Sequence, residues 1–230
     1  GLAKGLDPLE AIKTAKRFIY TAIKYGVSRG KGHWPVNPTA WVEIPAERWR
    51  AVEELNAALD LIRKNAAVFA KAIPEVQSNI GYVIDPRYAE GPGDVAAVPG
   101  RIVNYMGEAR PSGPPTFGAS SHTARKILAF VKRGAEVRAA MNVRYSPELV
   151  EKAKSLGFRV AVADRRREPE GVKRVEGGSM AWVVEEALSQ TGGAPPDIIA
   201  DLGDWGKEPQ ITILGRSPVE VVEKALRLLT

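Results

Sequence analysis

The segment HTARKILAFVKRGAEVRAAMNVRYSPELVEKAKSLGFRVAVAD, residues 122–164, decides the fold. HTARKILAFVKRG reads as a helix closed by Gly134, because glycine reaches the left-handed conformation of a helix end without a Cβ penalty. EVRAAMNVRY follows as a strand. SPELVEKAKSLG is a helix again: Ser146 offers an oxygen to the free N–H groups, and Pro147 suits the first position. FRVAVAD is a second, apolar strand. The rest of the chain adds the helix SMAWVVEEALSQTG, the strands DIIADLG and QITILG, and the closing helix SPVEVVEKALRLLT. Strands alternating with helices of this length predict an α/β layered fold with a mainly parallel sheet flanked by helices.

Working outward, a long helix is expected from Pro45 to about Ala72, with Trp49, Val52, Leu55, Leu59, Ile62, Phe69 and Ile73 at helical spacings and Pro74 as its stop. Beyond it QSNIGYVID and RIVNYMG read as strands, and RYAEGPGDVAAVPG and ARPSGPPTFGASS as Gly/Pro loops. At the N-terminus Leu9, Ile12, Ala15, Ile19, Ala22 and Ile23 mark a separate amphipathic helix with Asp7 as its cap and Pro8 at its first position. SRGKGHWPVNPTA then reads as a linker. The expected division is residues 1–38 and 45–230.

With 230 residues, 44% of them hydrophobic, the chain can bury one substantial core or two modest ones. No apolar run is long enough to span a membrane, and GLAKGLDPLE lacks the features of a signal peptide, so a cytoplasmic protein without membrane partners is expected. The absence of cysteine excludes disulfides, thiolate catalysis and cysteine-ligated metals; two distant histidines, His33 and His122, argue against a histidine-built site. Any metal would be a hard one held by carboxylates. The net charge of +6 favours anionic partners. The one dense basic run, ADRRREPEGVKR, is interleaved with Glu168, Glu170 and Glu176 and has no aromatic neighbours, so it reads as solvated surface and not as a nucleic-acid site. Few Cys, Gln, Asn and Met beside plentiful Arg, Glu and Pro have a thermophilic cast.

In such folds ligands sit at the carboxyl ends of strands, where loops meet helix N-termini. ASSHTAR gathers Ser120, Ser121, His122 and a new helix N-terminus, a set suited to phosphate or pyrophosphate; equally, a serine caps the helix and His122 is solvated. Arg101, after a Pro-Gly turn, offers a planar charged fork for phosphate oxygens. Asn142 and Arg144 end an apolar strand, although such an asparagine can also satisfy loop backbone. DLGDWGKEP concentrates Asp201, Asp204, Trp205, Lys207 and Glu208; its two aspartates could hold Mg²⁺ through water, or the run is a turn with Trp205 over the core. No dinucleotide fingerprint, Walker A loop, nucleophile elbow or HExxH is present. The chemistry indicated is anion binding and charge stabilisation.

Two resemblances complete the reading. LEAIKTAKRFIYTAIKYGVSRGKGHWPVNP resembles the C-terminal tail of a ribokinase-like hydroxymethylpyrimidine (phosphate) kinase, matching at Gly30, Gly32, Pro35, Val36 and Asn37. The kinase's own nucleotide-binding segments are absent, and the resemblance implies a kinase domain in front in the full-length protein. From about residue 45, QSNIGYV, VPGRIV, FGASSHTARK, MNVRY and DLGDWGKEPQITILG resemble the ThiN-type thiamine-phosphate synthase domain. That resemblance implies condensation of hydroxymethylpyrimidine pyrophosphate with thiazole phosphate, giving thiamine phosphate and pyrophosphate. It maps the family's key arginine and histidine onto Arg101 and His122, with His122 an acid or only a hydrogen-bond donor. Asn79, Ser120, Ser121, Asn142, Arg144, Asp201 and Lys207 are then substrate contacts, Asp201 and Asp204 ligands of Mg²⁺. The partners are the two phosphorylated substrates, and a homodimer is left open. The competing expectation is a regulator's domain that senses thiamine phosphates without catalysis; such a chain carries a helix-turn-helix in front, where this one carries the kinase-like tail.

Overall fold

The computed structural model describes residues 1–173, 175 and 177–230; Arg174 and Glu176, at the end of the basic run, lie outside them. The chain divides into two units, Gly1–Arg50 and Ala51–Thr230. In the first, α1 (Pro8–Lys24) starts where Asp7 accepts hydrogen bonds from the backbone of Leu9 and Glu10, with Pro8 at the first position. Phe18 meets Trp41 edge-on, ring centres 5.8 Å apart. Leu9, Ile12, Ile19, Tyr20 and Ile23 remain exposed, so the apolar stripe of α1 is not buried within its unit.

The next helix, α2 (Ala40–Lys64), starts ahead of the expected Pro45 and stops earlier than expected. Asn65 leaves helical geometry there, with φ −119° and ψ 32°, and its side-chain amide donates to the Leu61 carbonyl at 2.9 Å beside its own N–H at 3.2 Å. The short α3 (Ala66–Ala70) follows. Leu55, Ala58, Leu59 and Ile62 of α2 and Phe69 of α3 are buried in the second unit.

Nine strands follow among the described residues. β1 (Ile80–Val83), β2 (Val95–Ala97), β5 (Thr116–Phe117), β6 (Ala139–Arg144), β7 (Val160–Ala163), β8 (Ile198–Asp201) and β9 (Gln210–Gly215) form one sheet in the order β5-β2-β1-β6-β9-β8-β7. β3 (Ile102–Tyr105) and β4 (Glu108–Pro111) form a separate hairpin whose turn residues, Met106 and Gly107, both have positive φ. The stretches read as Gly/Pro loops thus contain β2, β4 and β5, strands too short to show a period.

The sheet is mixed and mostly antiparallel, which corrects the expected mainly parallel one; among the described residues only β7 and β8 pair in parallel. The reason lies in β9. β6, β7 and β8 all run the same way, as strands joined through helices should, but β9 returns from β8 by a tight turn and inserts between β8 and β6, antiparallel to both. Reading helix-connected strands gives their direction correctly, but it does not reveal a later strand slotted between them.

Four further helices, α4 (Ser121–Val131), α5 (Pro147–Ser155), α7 (Gly178–Gln190) and α8 (Pro218–Leu229), cover the sheet, with the short α6 (Glu170–Lys173) before α7. Ser120, Ser146 and Ser217 cap α4, α5 and α8 by accepting from backbone N–H groups. α4 and α7 pack together: Ile127 and Phe130 of α4 and Val183 and Val184 of α7 share one core with Val83, Ala140, Ala161, Ile199 and Leu214 of the strands. α8 buries Val221, Val222, Ala225 and Leu228 against β6 and β9, outside that cluster. Among the described residues, no helix is long and apolar enough to cross a membrane.

Asn79 stitches this sheet to the Arg101 turn. Its amide donates to the Val98 carbonyl at 2.9 Å, and its side-chain oxygen accepts from the N–H groups of Val98 and Ile80 at 3.0 and 2.9 Å. Removing it leaves buried backbone groups without partners, so Asn79→Ala should lower unfolding stability by about 3 kcal/mol, measured by denaturant titration.

Candidate functional site

Because β6, β7 and β8 run one way and β1 and β9 the other, the carboxyl ends of the first three share an edge with the amino ends of the other two. The register fixes it: Asp201 lies opposite Gln210, Gln210 opposite Arg144, and Ile80 opposite Met141. His122, in the first turn of α4, reaches the same edge, its Nε2 3.5 Å from Gln210 Nε2. Here a cavity of about 410 Å³ opens, a size suited to a small-molecule ligand.

Of the residues singled out from the sequence, Asn79, Arg101, Ser120 and His122 line this cavity together with Asn142, Asp201 and Lys207. Ser121, Arg144 and Asp204 are not among its lining residues. The cavity residues differ in what their polar groups are free to do. Asn79 is engaged with Val98 and Ile80 as above. Asn142 accepts from the Asn79 N–H at 2.7 Å and donates to the Gln77 carbonyl at 3.0 Å, so its amide satisfies backbone. Ser120 is the cap of α4 and accepts from Thr123 N–H.

Arg101 and Lys207 are exposed at the opening, with their charges available. Arg101 has a positive φ of 71°, directly after Gly100 at 70°. Left-handed backbone is costly for a residue with a Cβ, and such strain persists where surrounding structure holds it. Arg101 Nη1 donates to the Val76 carbonyl, and the Ser112 N–H donates to the Arg101 carbonyl at 2.9 Å. The turn therefore holds the guanidinium at the cavity wall.

Lys207 belongs to the β8–β9 turn, which is tightly built. Asp204 and Lys207 exchange backbone hydrogen bonds at 3.1 and 2.8 Å, and Glu208 accepts from the N–H groups of Glu75 and Val76 at 2.9 Å. Gly203 has a φ of 71°, and a Cβ there would run into the Lys207 carbonyl, so only glycine fits. Trp205, at the tip of this turn, is 99% exposed and does not cover the core.

Beneath the cavity lies a buried charge network that the sequence reading did not isolate. Arg165, just past the end of β7, grips Asp201, at the end of β8. Its Nε lies 2.9 and 3.0 Å from the two carboxylate oxygens, and its Nη2 lies 2.6 Å from Oδ2. Glu168 Oε2 lies 3.6 Å from Arg165 Nη1 and 3.5 Å from Lys207 Nζ. Lys126, one turn along α4 from His122, is fully buried and donates to Thr212 Oγ1 at 2.5 Å. Burial, with Arg165 adding to it and Asp201 opposing, pushes its pKa down to about 8. The same surroundings act on His122. Desolvation first, then the charges of Lys126 and Arg165, push its pKa down to about 3, with Asp201 opposing and Arg101 adding a little. The ring is open to the cavity, so the cations supply the part of this shift that water does not relieve. At neutral pH His122 is thus uncharged. Gln210 Nε2 can only donate, so in that contact His122 Nε2 accepts and Nδ1 carries the proton.

The two aspartates proposed as metal ligands are already committed. Asp201 holds Arg165 with both oxygens, and Asp204 Oδ2 accepts from Lys173 Nζ at 2.8 Å. Among the described residues no three His, Asp or Glu side chains group as a metal site. Neither carboxylate has the free oxygen pair that a protein-held Mg²⁺ needs.

Arg165 and Glu168 were concealed in the basic run taken for solvated surface, although Arg165 directly follows an apolar strand, the placement that pointed to Asn142 and Arg144. Lys126 was concealed by its helical spacing, which reads as one polar residue on an amphipathic helix.

A helix N-terminus, several cations and a neutral imidazole converge on a strand-end cavity of an α/β protein, a lining suited to anionic groups. The family model described as thiamine-phosphate synthase ThiN matches residues 54–227, and the chain belongs to that family. It is 43% identical over 178 residues to a thiamine-phosphate synthase ThiN of Methanothermobacter thermautotrophicus, covering 77% of this chain and 92% of that protein. It is 38% identical over 224 residues to a bifunctional thiamine biosynthesis protein ThiDN of Methanocaldococcus jannaschii, covering 97% of this chain but only 49% of that protein. Among solved structures, the C-terminal domain of a phosphomethylpyrimidine kinase matches at 43% identity with a TM-score of 0.74, covering 79% of this chain and all of that one.

Two outcomes test the site's physics. Arg101→Gly should be more stable than Arg101→Ala by about 1 kcal/mol in chemical denaturation, since the glycine relieves the left-handed strain that alanine keeps. The unfolded chain takes up a proton at His122 near pH 6.5, whereas the folded chain does so only near 3, so acid favours unfolding across that window. Stability should therefore fall as pH drops from 6.5 toward 3, less so in His122→Gln, and the His122 ring protons should keep neutral-imidazole NMR shifts at pH 5.

Proposed function

We propose that the chain makes thiamine phosphate by charge stabilisation of a departing pyrophosphate at this cavity. The bond between the pyrimidine's methylene carbon and the pyrophosphate oxygen breaks, and its electron pair leaves with the pyrophosphate. The thiazole nitrogen then forms the new C–N bond with its lone pair. No side-chain nucleophile is required, and the cavity lining is rich in cations and hydrogen-bond donors. What the step requires is positive potential where negative charge develops, which Arg101, Lys207, Arg165 and the N–H groups of the first turn of α4 can supply.

His122 serves in this reading as a neutral hydrogen-bond donor to a leaving oxygen through Nδ1, and not as an acid, because its pKa of about 3 leaves almost no imidazolium at neutral pH. Ser120 acts by holding the α4 terminus open toward the cavity. The observation that carries the reading is the excess of positive charge around one cavity within a fold of this family. Mg²⁺, when present, would neutralise pyrophosphate oxygens and enter with the substrate, since Asp201 and Asp204 are committed to Arg165 and Lys173. The match to half of a bifunctional protein also supports a kinase domain joined ahead of Gly1–Arg50 in the full-length protein.

Mixing the protein with both substrates should yield thiamine phosphate and one equivalent of pyrophosphate. Arg101→Ala and His122→Ala should each reduce turnover by at least about a hundredfold with little change in melting temperature. Activity that survives intact in both variants would remove this cavity as the reaction site. Substituting Asp204→Asn should leave the Mg²⁺ dependence of the rate unchanged, and a raised Mg²⁺ requirement would restore Asp204 as a ligand.

A further inference from the structure

Glu168 has no place in the chemistry above, and it does not line the cavity. Its side chain is wholly buried, yet among the described residues neither carboxylate oxygen accepts a hydrogen bond. A buried carboxylate without hydrogen bonds is costly, and it persists where charges around it compensate. Among the described residues Lys207 Nζ at 3.5 Å and Arg165 Nη1 at 3.6 Å both face its Oε2, and Lys173 also feels its charge. Both distances are beyond hydrogen-bonding range but well within strong electrostatic attraction. Arg165 Nη1 has no hydrogen-bond partner among the described residues, and no hydrogen bond engages Lys207 Nζ there either.

We propose that Glu168 is a positioning residue: it holds the Lys207 ammonium at the cavity by charge alone, with the buried Arg165 Nη1 balancing it from behind, and so leaves the Lys207 N–H groups to donate to pyrophosphate oxygens. A lysine on an exposed turn otherwise samples many rotamers, and a ligand must pay the entropy of ordering it. A fixed buried negative charge behind Lys207 reduces that loss without occupying its donors. Arg165 is held separately by Asp201, so Lys207 is the partner whose placement depends on Glu168. The proposal rests on the reading of this cavity as the pyrophosphate site.

The test is a double-mutant cycle read by calorimetric titration of pyrophosphate into the wild type, Glu168→Gln, Lys207→Met and the double variant, with turnover measured alongside. Each single substitution should weaken pyrophosphate binding about tenfold, and the double should bind no more weakly than Lys207→Met alone, because the two act as one unit. Multiplying losses in the double variant, or wild-type affinity in Glu168→Gln, would overturn the proposal. If Glu168→Gln fails to fold, Glu168→Asp keeps the charge but draws it back by one methylene. Its affinity should fall between those of the wild type and Lys207→Met, and affinity equal to the wild type would again overturn the role. A wild type that binds pyrophosphate with this coupling but forms no thiamine phosphate would refute the function and leave the positioning role standing.

Discussion

The grip of Arg165 on Asp201 is the constraint on which the site depends. It joins the carboxyl ends of the parallel strand pair, β7 and β8, by two-point contact deep in the protein. An ion pair so buried gains little net stability, because desolvating both charges offsets most of their attraction. Its value is geometric. With Asp201 satisfied, Arg165 turns one buried nitrogen toward Glu168, and the positive field that shapes His122 and Lys126 has a fixed source. Breaking the pair would leave a buried charge uncompensated and would disturb every group arranged above it.

The sheet topology explains why these groups meet at all. β9 reverses direction after the Asp204–Lys207 turn and inserts beside β6, which brings Gln210 between Asp201 and Arg144 and within reach of His122. A purely parallel sheet of the same elements would keep β8 and β9 from facing each other across one edge through a short connection. The departure from the expected fold is therefore what assembles the cavity. The N-terminus of α4 and the Arg101 turn then close it from the other side, the latter through the hydrogen bonds of Asn79.

Much of this was legible in the residues. Caps at Asp7 and Ser146, Gly134 at a helix end, and the run of helix-joined strands were all read directly, because each follows from local chemistry. Arg101, His122 and Lys207 stood out because they lie at element ends with unusual neighbours, and Asn79 through the family resemblance that QSNIGYV carries. What could not be read is long-range. Nothing local to QITILG says where that strand inserts, and nothing in the run of three arginines says that the first is buried while the second is exposed. The roles of Asn142 and Asp204 also turn on partners far along the chain: the backbone of Asn79 and Gln77, and Lys173.

The fixed excess of cations has a kinetic side as well. Potential that stabilises pyrophosphate as it departs stabilises it equally once it is free, and a turn anchored through Glu208 and Gly203 has little latitude to move aside. On the proposed chemistry, escape of that product would compete with bond formation for control of the overall rate, and a neighbouring reaction that hydrolyses pyrophosphate would relieve it. The rigidity of one short turn would then couple throughput to how quickly the surroundings clear an inorganic by-product.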